Sequence, residues 1–263
     1  MERCDFLPVS AEEMHERGWW WYDALVVGGD AYVDHPSFGT AVISRVLEAE
    51  GLRVAVLAQP DWHDAEAFRA MGRPRLGVFI GAGNLDSMVA HYTAAKRRRS
   101  EDFYSPGKRS GCRPDRAAIV YCNRAREAFG PDMPIILGSL EASLRRFAHY
   151  DYWDDSVRRA ILFDAPADLL VYGMGEAATI EIAHRLKKKQ SVRTMTDIPG
   201  TGYITRDPSV CKFDHITLPS FEDVRDDKRL YAEATRTEYA EHDPIRGRAM
   251  IQPCEGRYLI INP

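Results

Sequence analysis

"DALVVGGDAYVDHPSFGT", residues 23–40, decides how this chain reads. Residues 23–29 form a short apolar run that stops at two glycines, Gly28 and Gly29. Asp30, Asp34, His35 and Ser37 follow, and Pro36 to Gly39 open a helical pattern over 39–50. An apolar run without alternation is what a strand covered on both faces requires. The stretch is therefore a buried strand, a polar loop and a helix, the opening unit of a parallel α/β sheet. Asp34 and His35 have two readings: catalysis or metal binding, or a turn and a cap. No HxxxH, HxH or CxxC spacing accompanies His35, so a turn or hydrogen-bonding role is preferred to a metal ligand.

The rest of the chain repeats the unit. Apolar runs at 53–59, 76–83, 134–140 and 168–175 supply four more strands. Helical patterns lie at 39–50, about 63–71, about 85–99, 115–129, about 154–162 and 176–189, with Asp115 as a possible cap. The expected fold is α/β: a doubly wound, mainly parallel five-stranded sheet of Rossmann-like type, over residues 1–190. Residues 191–263 read as an extension: an extended segment with a glycine turn at 198–207, a capped and charged helix within 218–243, and a closing strand in "GRYLIINP". That strand stops at Pro263 with no cap or polar tail, so the chain is expected to be a fragment of something longer; a terminal edge strand is the alternative.

Bulk composition narrows the function classes. The 263 residues are 45% hydrophobic and 28% charged, ordinary for a soluble globular protein. A net charge of −4 does not favour nucleic acid or an anionic membrane. No apolar run is long enough to cross a bilayer, and the polar N-terminus is unlike a secretory signal, so a cytoplasmic location is expected. Cys4, Cys112, Cys122, Cys211 and Cys254 are scattered, which argues against a disulfide framework and against a local zinc or iron–sulfur loop.

In an open parallel sheet, ligands bind outside the carboxyl ends of the strands. The first exit here carries Gly28, Gly29, Asp30, Asp34, His35 and Ser37. The third carries Gly81, Asn84, Asp86 and Ser87. The fourth carries Gly138, Ser139 and Glu141, and the fifth Gly173, Gly175 and Glu176. The second, "QPDWHD", is polar as well. Glycine lets backbone approach a ligand closely, and the helices that begin there offer free N–H groups to phosphate or carboxylate. These exits read as a nucleotide-like or tetrapyrrole-tail cleft, or else as ordinary βα turns and caps. G-x-G-x-x-G, G-x-S-x-G and Walker patterns are missing. No residue is assigned a catalytic or metal-ligating role.

Two further stretches stand out. Residues 94–116 hold eight Lys/Arg against three acids, with Phe103 and Tyr104 among them. They read as a clamp for nucleic acid or phosphate, or as a solvated loop or docking patch, the reading preferred in an acidic chain. "RRFAHYDYWDD", 145–155, packs a lid or forms an interface.

Several segments together resemble a known family: "VVGGDAYVDHPSFG", "AQPDW", "GAGNLDSMVAHYTAAKRRR", "PDRAAIVYC", "ILGSLEASLRRFAHYDYWDDSVRRAIL", "YGMGEAATIEIAHRL" and "RYLIINP". They look like the N-terminal part of the YgiQ-type radical SAM proteins, in order and over essentially the whole chain. The resemblance implies a cobalamin-binding-type (B12-type) Rossmann-like domain ahead of a radical SAM barrel. Residues 166–207 are similar to the closing strand, GEGE turn, helix and hairpin of such domains, with Gly173, Gly175 and Glu176 carrying the match. The [4Fe–4S] cluster and S-adenosylmethionine are expected only in that later module, because C-x-x-x-C-x-x-C is missing from this chain. There, cluster reduction, homolytic cleavage of S-adenosylmethionine and hydrogen abstraction would follow one another. The histidine-ligated cobalamin signature D-x-H-x-x-G is out of register, since Asp34 and His35 are adjacent and Gly39 lies four beyond. Gly138 and Ser139 match the cobalamin-tail glycine pair in part. Cobalamin without a histidine ligand stays open. Implied partners are the chain's own barrel and a small or unidentified substrate. The rivals are a docking or cover module with an empty cleft, distinguished by whether the exits stay open or are plugged by Tyr32, Trp62 and Trp153, and a stand-alone nucleotide-binding protein using Asp30, Asp34 and Glu141.

Overall fold

The computed structural model describes residues 6–243 and 245–263; Cys4 lies outside them. Its strands are β1 (Ala24–Gly28), β2 (Val54–Ala58), β3 (Gly77–Gly81), β4 (Ile135–Leu137), β5 (His149–Asp151), β6 (Ser156–Arg158), β7 (Leu169–Val171), β8 (Thr201–Thr205), β9 (His215–Thr217), β10 (Ala249–Cys254) and β11 (Arg257–Ile261). Its helices are α1 (Ala11–Glu16), α2 (Gly39–Ala49), α3 (Glu66–Ala70), α4 (Ser87–His91), α5 (Ala117–Phe129), α6 (Ser139–Leu144), α7 (Glu176–Lys187), α8 (Phe221–Asp226) and α9 (Lys228–Ala240).

The five expected strands lie side by side in the order β2-β1-β3-β4-β7, all parallel. Their residues alternate between two cores, as the period of a strand requires. Leu25, Val27, Val78, Ile80, Ile135, Leu137 and Leu170 face one side, under Phe68 of α3 and Ala118, Tyr121 and Phe129 of α5. Val26, Val54, Val56, Phe79, Ile136, Leu169 and Val171 face the other, under Leu47 of α2 and Ile182 and Leu186 of α7. That is a doubly wound sheet, and the order reverses at β1/β3. The sheet does not stop at five. The extension continues its edge through β8, β11, β10 and β9 to nine strands, with β8 antiparallel to β7 and β11 antiparallel to β8.

Three local expectations are corrected. The helix expected over 154–162 is absent: β5 and β6 form an antiparallel hairpin, followed by a short turn of helix at Ile161–Phe163. Asp151 drives the reversal by accepting the amides of Trp153 at 2.8 Å and Asp154 at 3.1 Å. Asp154, in the turn, pairs with Arg158 of β6, four residues on, as such residues would along a helix. The helix expected over 85–99 is only α4; past it the chain folds into turns. Asp115 does not cap α5. Ser87 Oγ accepts from Ala117 N at 3.0 Å and Glu141 from Ala118 N at 3.1 Å, while Asp115 meets His91 and Tyr92.

Ser220 and Asp223 close a capping box on α8, as the cap expected at 218–243 implies. At the far end of α9, burial pushes the Glu238 carboxyl up to about 7, with Arg146 acting weakly against it. A carboxyl raised in the folded state costs stability as pH rises from its unfolded range near 4.5 through 7. Glu238→Gln should therefore be more stable than the parent by about 1–3 kcal/mol at pH 8. The gain should vanish below about pH 4.5 in urea melts; an equal gain at both pH values would contradict this origin.

Candidate functional site

A cavity of about 260 Å³ opens at the carboxyl edge of the sheet. Its floor is the sheet face carrying Val26, Phe79, Ile136 and Val171; its walls are Thr40 and Ile43 of α2 and Glu176 and Thr179 of α7. The cavity exists because of side-chain size. Farther along, Leu47, Ile182 and Leu186 fill the space between these helices and the sheet. In their first turns stand Gly39, Thr40, Glu176 and Thr179, with Gly175 just before α7, so a wedge stays open. Neither Phe38 nor Gly175 caps its helix with a side chain; Asn84 takes the first N–H of α2, at Gly39, and the remaining first-turn N–H groups lie at the cavity rim.

The strand-exit residues divide into two groups. Gly81, Asn84, Gly138, Ser139, Gly173, Gly175 and Glu176 line the cavity. A Cβ on Gly39 or Gly173 would meet open space, and one on Gly138 only the Val171 carbonyl oxygen at 3.7 Å. Ser139 sits in the left-handed region at φ 72°, where a non-glycine residue is strained. Its hydroxyl accepts from Ala82 N at 3.0 Å, which holds it there. Asn84 ties the first loop to the third by donating to the Ser37 carbonyl at 2.8 Å and accepting from Gly39 N at 3.3 Å.

The second group builds the edge rather than the cavity. Gly28 packs against Thr40, and Gly29 lies directly on the Ala82 carbonyl. Asp30 is buried, accepts from Asn84 N at 2.7 Å and stands 2.9 Å from the Arg113 guanidinium. Arg113 is wholly buried and forks onto Asp102, from Nε at 3.0 Å and Nη2 at 3.2 Å. Burial pushes the Asp30 carboxyl up, against the pull of the Asn84 amide and of Arg113. Asp34 pairs with Arg45 at 3.0 Å. Asp86 caps α4 and pairs with Arg145. Glu141, 1% exposed, accepts from Ser87 and Ala118. His35 is exposed and outside the cavity, its Nδ1 accepting from Ser37 N at 3.1 Å.

Asp30, Asp34 and Glu141, the acids a stand-alone nucleotide enzyme would need, are thus committed to structural ion pairs or, for Glu141, to hydrogen bonds from Ser87 and Ala118. Tyr32, Trp62 and Trp153 do not line the cavity; Trp62 stacks on His63, and Trp153 packs on Tyr92 and Tyr152. Sequence reasoning missed the floor and the residues Thr40, Ile43 and Thr179. The signal for them was present in the small first turns "GTAV" and "GEAAT". It also missed Arg113, which nothing in a basic loop distinguishes from its solvated neighbours.

No three His, Cys, Asp or Glu side chains converge as a metal-binding set among the described residues. Cys122 and Cys254 are buried, and burial pushes the Cys254 thiol up to about 12, far from a ready thiolate. Among the described residues no helix is long and apolar enough to cross a membrane.

A family model described as Radical SAM N-terminal matches residues 6–263. A UPF0313 protein of Clostridium botulinum (strain 657 / Type Ba4) is 53% identical over 263 residues, all of this chain and 41% of that protein. A UPF0313 protein of Clostridium perfringens (strain SM101 / Type A) is 51% identical over 262 residues and 39% of its length. The chain thus spans about 40% of the length of the curated relatives it matches. Among solved structures, the radical S-adenosylmethionine methyltransferase TsrM from Kitasatospora setae, with cobalamin and a [4Fe–4S] cluster bound, aligns with a TM-score of 0.42 at 20% identity, over 68% of this chain and 26% of that one.

Proposed function

The chain belongs to the Radical SAM N-terminal family, and from that premise we propose that it is the ligand-holding N-terminal domain of a longer radical SAM enzyme. The cavity between the carboxyl edge and the first turns of α2 and α7 carries this reading. Its floor is apolar, its rim is glycine and Ser139, and the first turns of α2 and α7 border it, that of α7 without a side-chain cap. Such a site takes a flat, largely apolar ring inside and a phosphate or carboxylate at the mouth.

The cavity suits the ring of a nucleotide or the base-bearing tail of cobalamin. Gly39, Gly138 and Gly173 leave the room a tail would need, and Thr40 and Thr179 would border its ring. His35, exposed and outside the cavity, supplies no cobalt ligand from within it. Cobalamin would therefore be held by its tail alone. The cluster and S-adenosylmethionine would supply radical chemistry from the remaining length of the longer protein. The part played by this chain's residues is to bind and orient the ligand and to shield it from water.

The test is equilibrium dialysis of this chain against hydroxocobalamin, cobinamide, which lacks the tail, and ADP. Retention of hydroxocobalamin or ADP with loss of cobinamide is the expected result. Retention of none, or of cobinamide as tightly as hydroxocobalamin, would leave the cavity without this role. A docking module with an unused cavity would then be the better reading.

A further inference from the structure

The bulk charge of −4 conceals a concentrated positive surface. Lys96, Arg97, Arg98, Arg99, Lys108 and Arg109 are all exposed, and among the described residues none has a carboxylate within ion-pair distance. By contrast, Arg113 and Arg116, a few residues on, each engage two aspartates. Glu101, the exposed carboxylate of the same loop, forms no ion pair there.

The segment is built, not loose. Thr93 N bonds the Arg97 carbonyl at 2.8 Å, Arg99 N that of His91 at 2.7 Å, and Asp102 N that of Lys108 at 3.0 Å. Two backbone bridges, Tyr92 to Arg98 and Glu101 to Arg109, close the two reversals, and Ser110 Oγ joins them through the Arg99 carbonyl at 3.0 Å. The base is anchored by the Arg113–Asp102 pair and by Ala31 N on the Tyr104 carbonyl at 2.8 Å. A rigid loop that holds like charges together without counter-charges is preorganised for an anion.

Aromatic faces lie among the cations. Phe103 is 74% exposed with the Lys108 ammonium 4.9 Å from its ring, and Tyr152, 47% exposed, has Lys96 at 4.9 Å. Cations that track a backbone, with exposed rings on which bases stack, are the two elements of single-strand recognition. Both rings remain about half or more exposed beside their lysines, so a base can stack where the cations meet a phosphate. We propose that residues 93–111, with Tyr152, bind single-stranded nucleic acid through its phosphates and bases. This rests on the loop alone and is independent of the cavity.

The test is fluorescence anisotropy of a labelled 15-nucleotide oligo(U), and of a duplex of equal length, with the full chain at several salt concentrations. Oligo(U) should bind in the micromolar range at 50 mM salt. The triple variant R97E/R98E/R109E should weaken binding by at least about tenfold and flatten the slope of log K against log salt by about 2, since each single-strand phosphate contact contributes about 0.7. F103A should weaken binding by about fivefold or more and leave that slope unchanged. All four positions are exposed, so melting temperatures should not move and will report any loss of fold. The proposal fails if oligo(U) shows no saturable binding, if the triple variant binds like the parent, or if the duplex binds equally well and F103A is neutral. It also fails if a chain extended to the length of the Clostridium relatives loses the binding, because the patch would then be a contact with the rest of that protein.

Discussion

Arg113→Met is expected to lower the melting temperature by about 10 °C or more, through a loss of about 3–5 kcal/mol. Arg113 is wholly buried between Asp30 and Asp102, which are 5% and 3% exposed. Methionine fills the space but leaves two carboxylates in the interior with nothing to balance them. Removing one side of a buried pair costs far more than the pair contributes. A triple variant, D30N/D102N/R113M, should recover a large part of the loss, because no unpaired charge remains. A shift below about 2 °C for the single variant would show that the site admits water or counter-ions.

Gly29→Ala should be nearly as damaging, at about 3 kcal/mol or more. Gly29 packs so closely on the Ala82 carbonyl that a Cβ would collide with backbone rather than with a flexible side-chain end. Relief requires the loops after β1 and β3 to separate, and these loops carry the Asp30 to Asn84 hydrogen bond. Gly39→Ala is the internal control. A Cβ there meets nothing within 4 Å and alanine favours a helix, so stability should hold or rise slightly. Equal losses in the two variants, followed by denaturant titration, would contradict the close-approach argument.

The five parallel strands were legible because each is a short apolar run buried on both faces, and burial on both faces is what erases alternation. Helices α2, α5 and α7 were legible because each packs a full-length apolar stripe on the sheet. The hairpin at 149–158 was not, because the Asp154–Arg158 pair fits a helix as well, and Asp151, which Arg116 holds from another part of the chain, turns the backbone by accepting the Trp153 and Asp154 amides. The strand β10 was hidden by "QPC" within it, although Pro253 faces the partner strand β11 in register with Tyr258. The strand exits pointed to the right edge of the sheet. They did not separate the glycines that open the cavity from the acids that brace it. That separation depends on Arg45, Arg113 and Arg145, which reach those acids from other parts of the chain.

Gly138→Val probes the claim that the cavity between the sheet and α2/α7 holds a ligand. Gly138 lines the cavity with extended backbone at φ −137°, outside the left-handed region that would demand glycine, and its Cβ would touch only a carbonyl oxygen at 3.7 Å. Fold and melting temperature should therefore hold while the branched side chain occupies the cavity. Adenosine and 5,6-dimethylbenzimidazole, titrated by ligand-observed NMR, should bind the parent chain and lose affinity by about tenfold or more in the variant, the effect of filling a ring-sized pocket. Equal binding by the folded variant and the parent, or no binding of either probe by the parent, would contradict the claim.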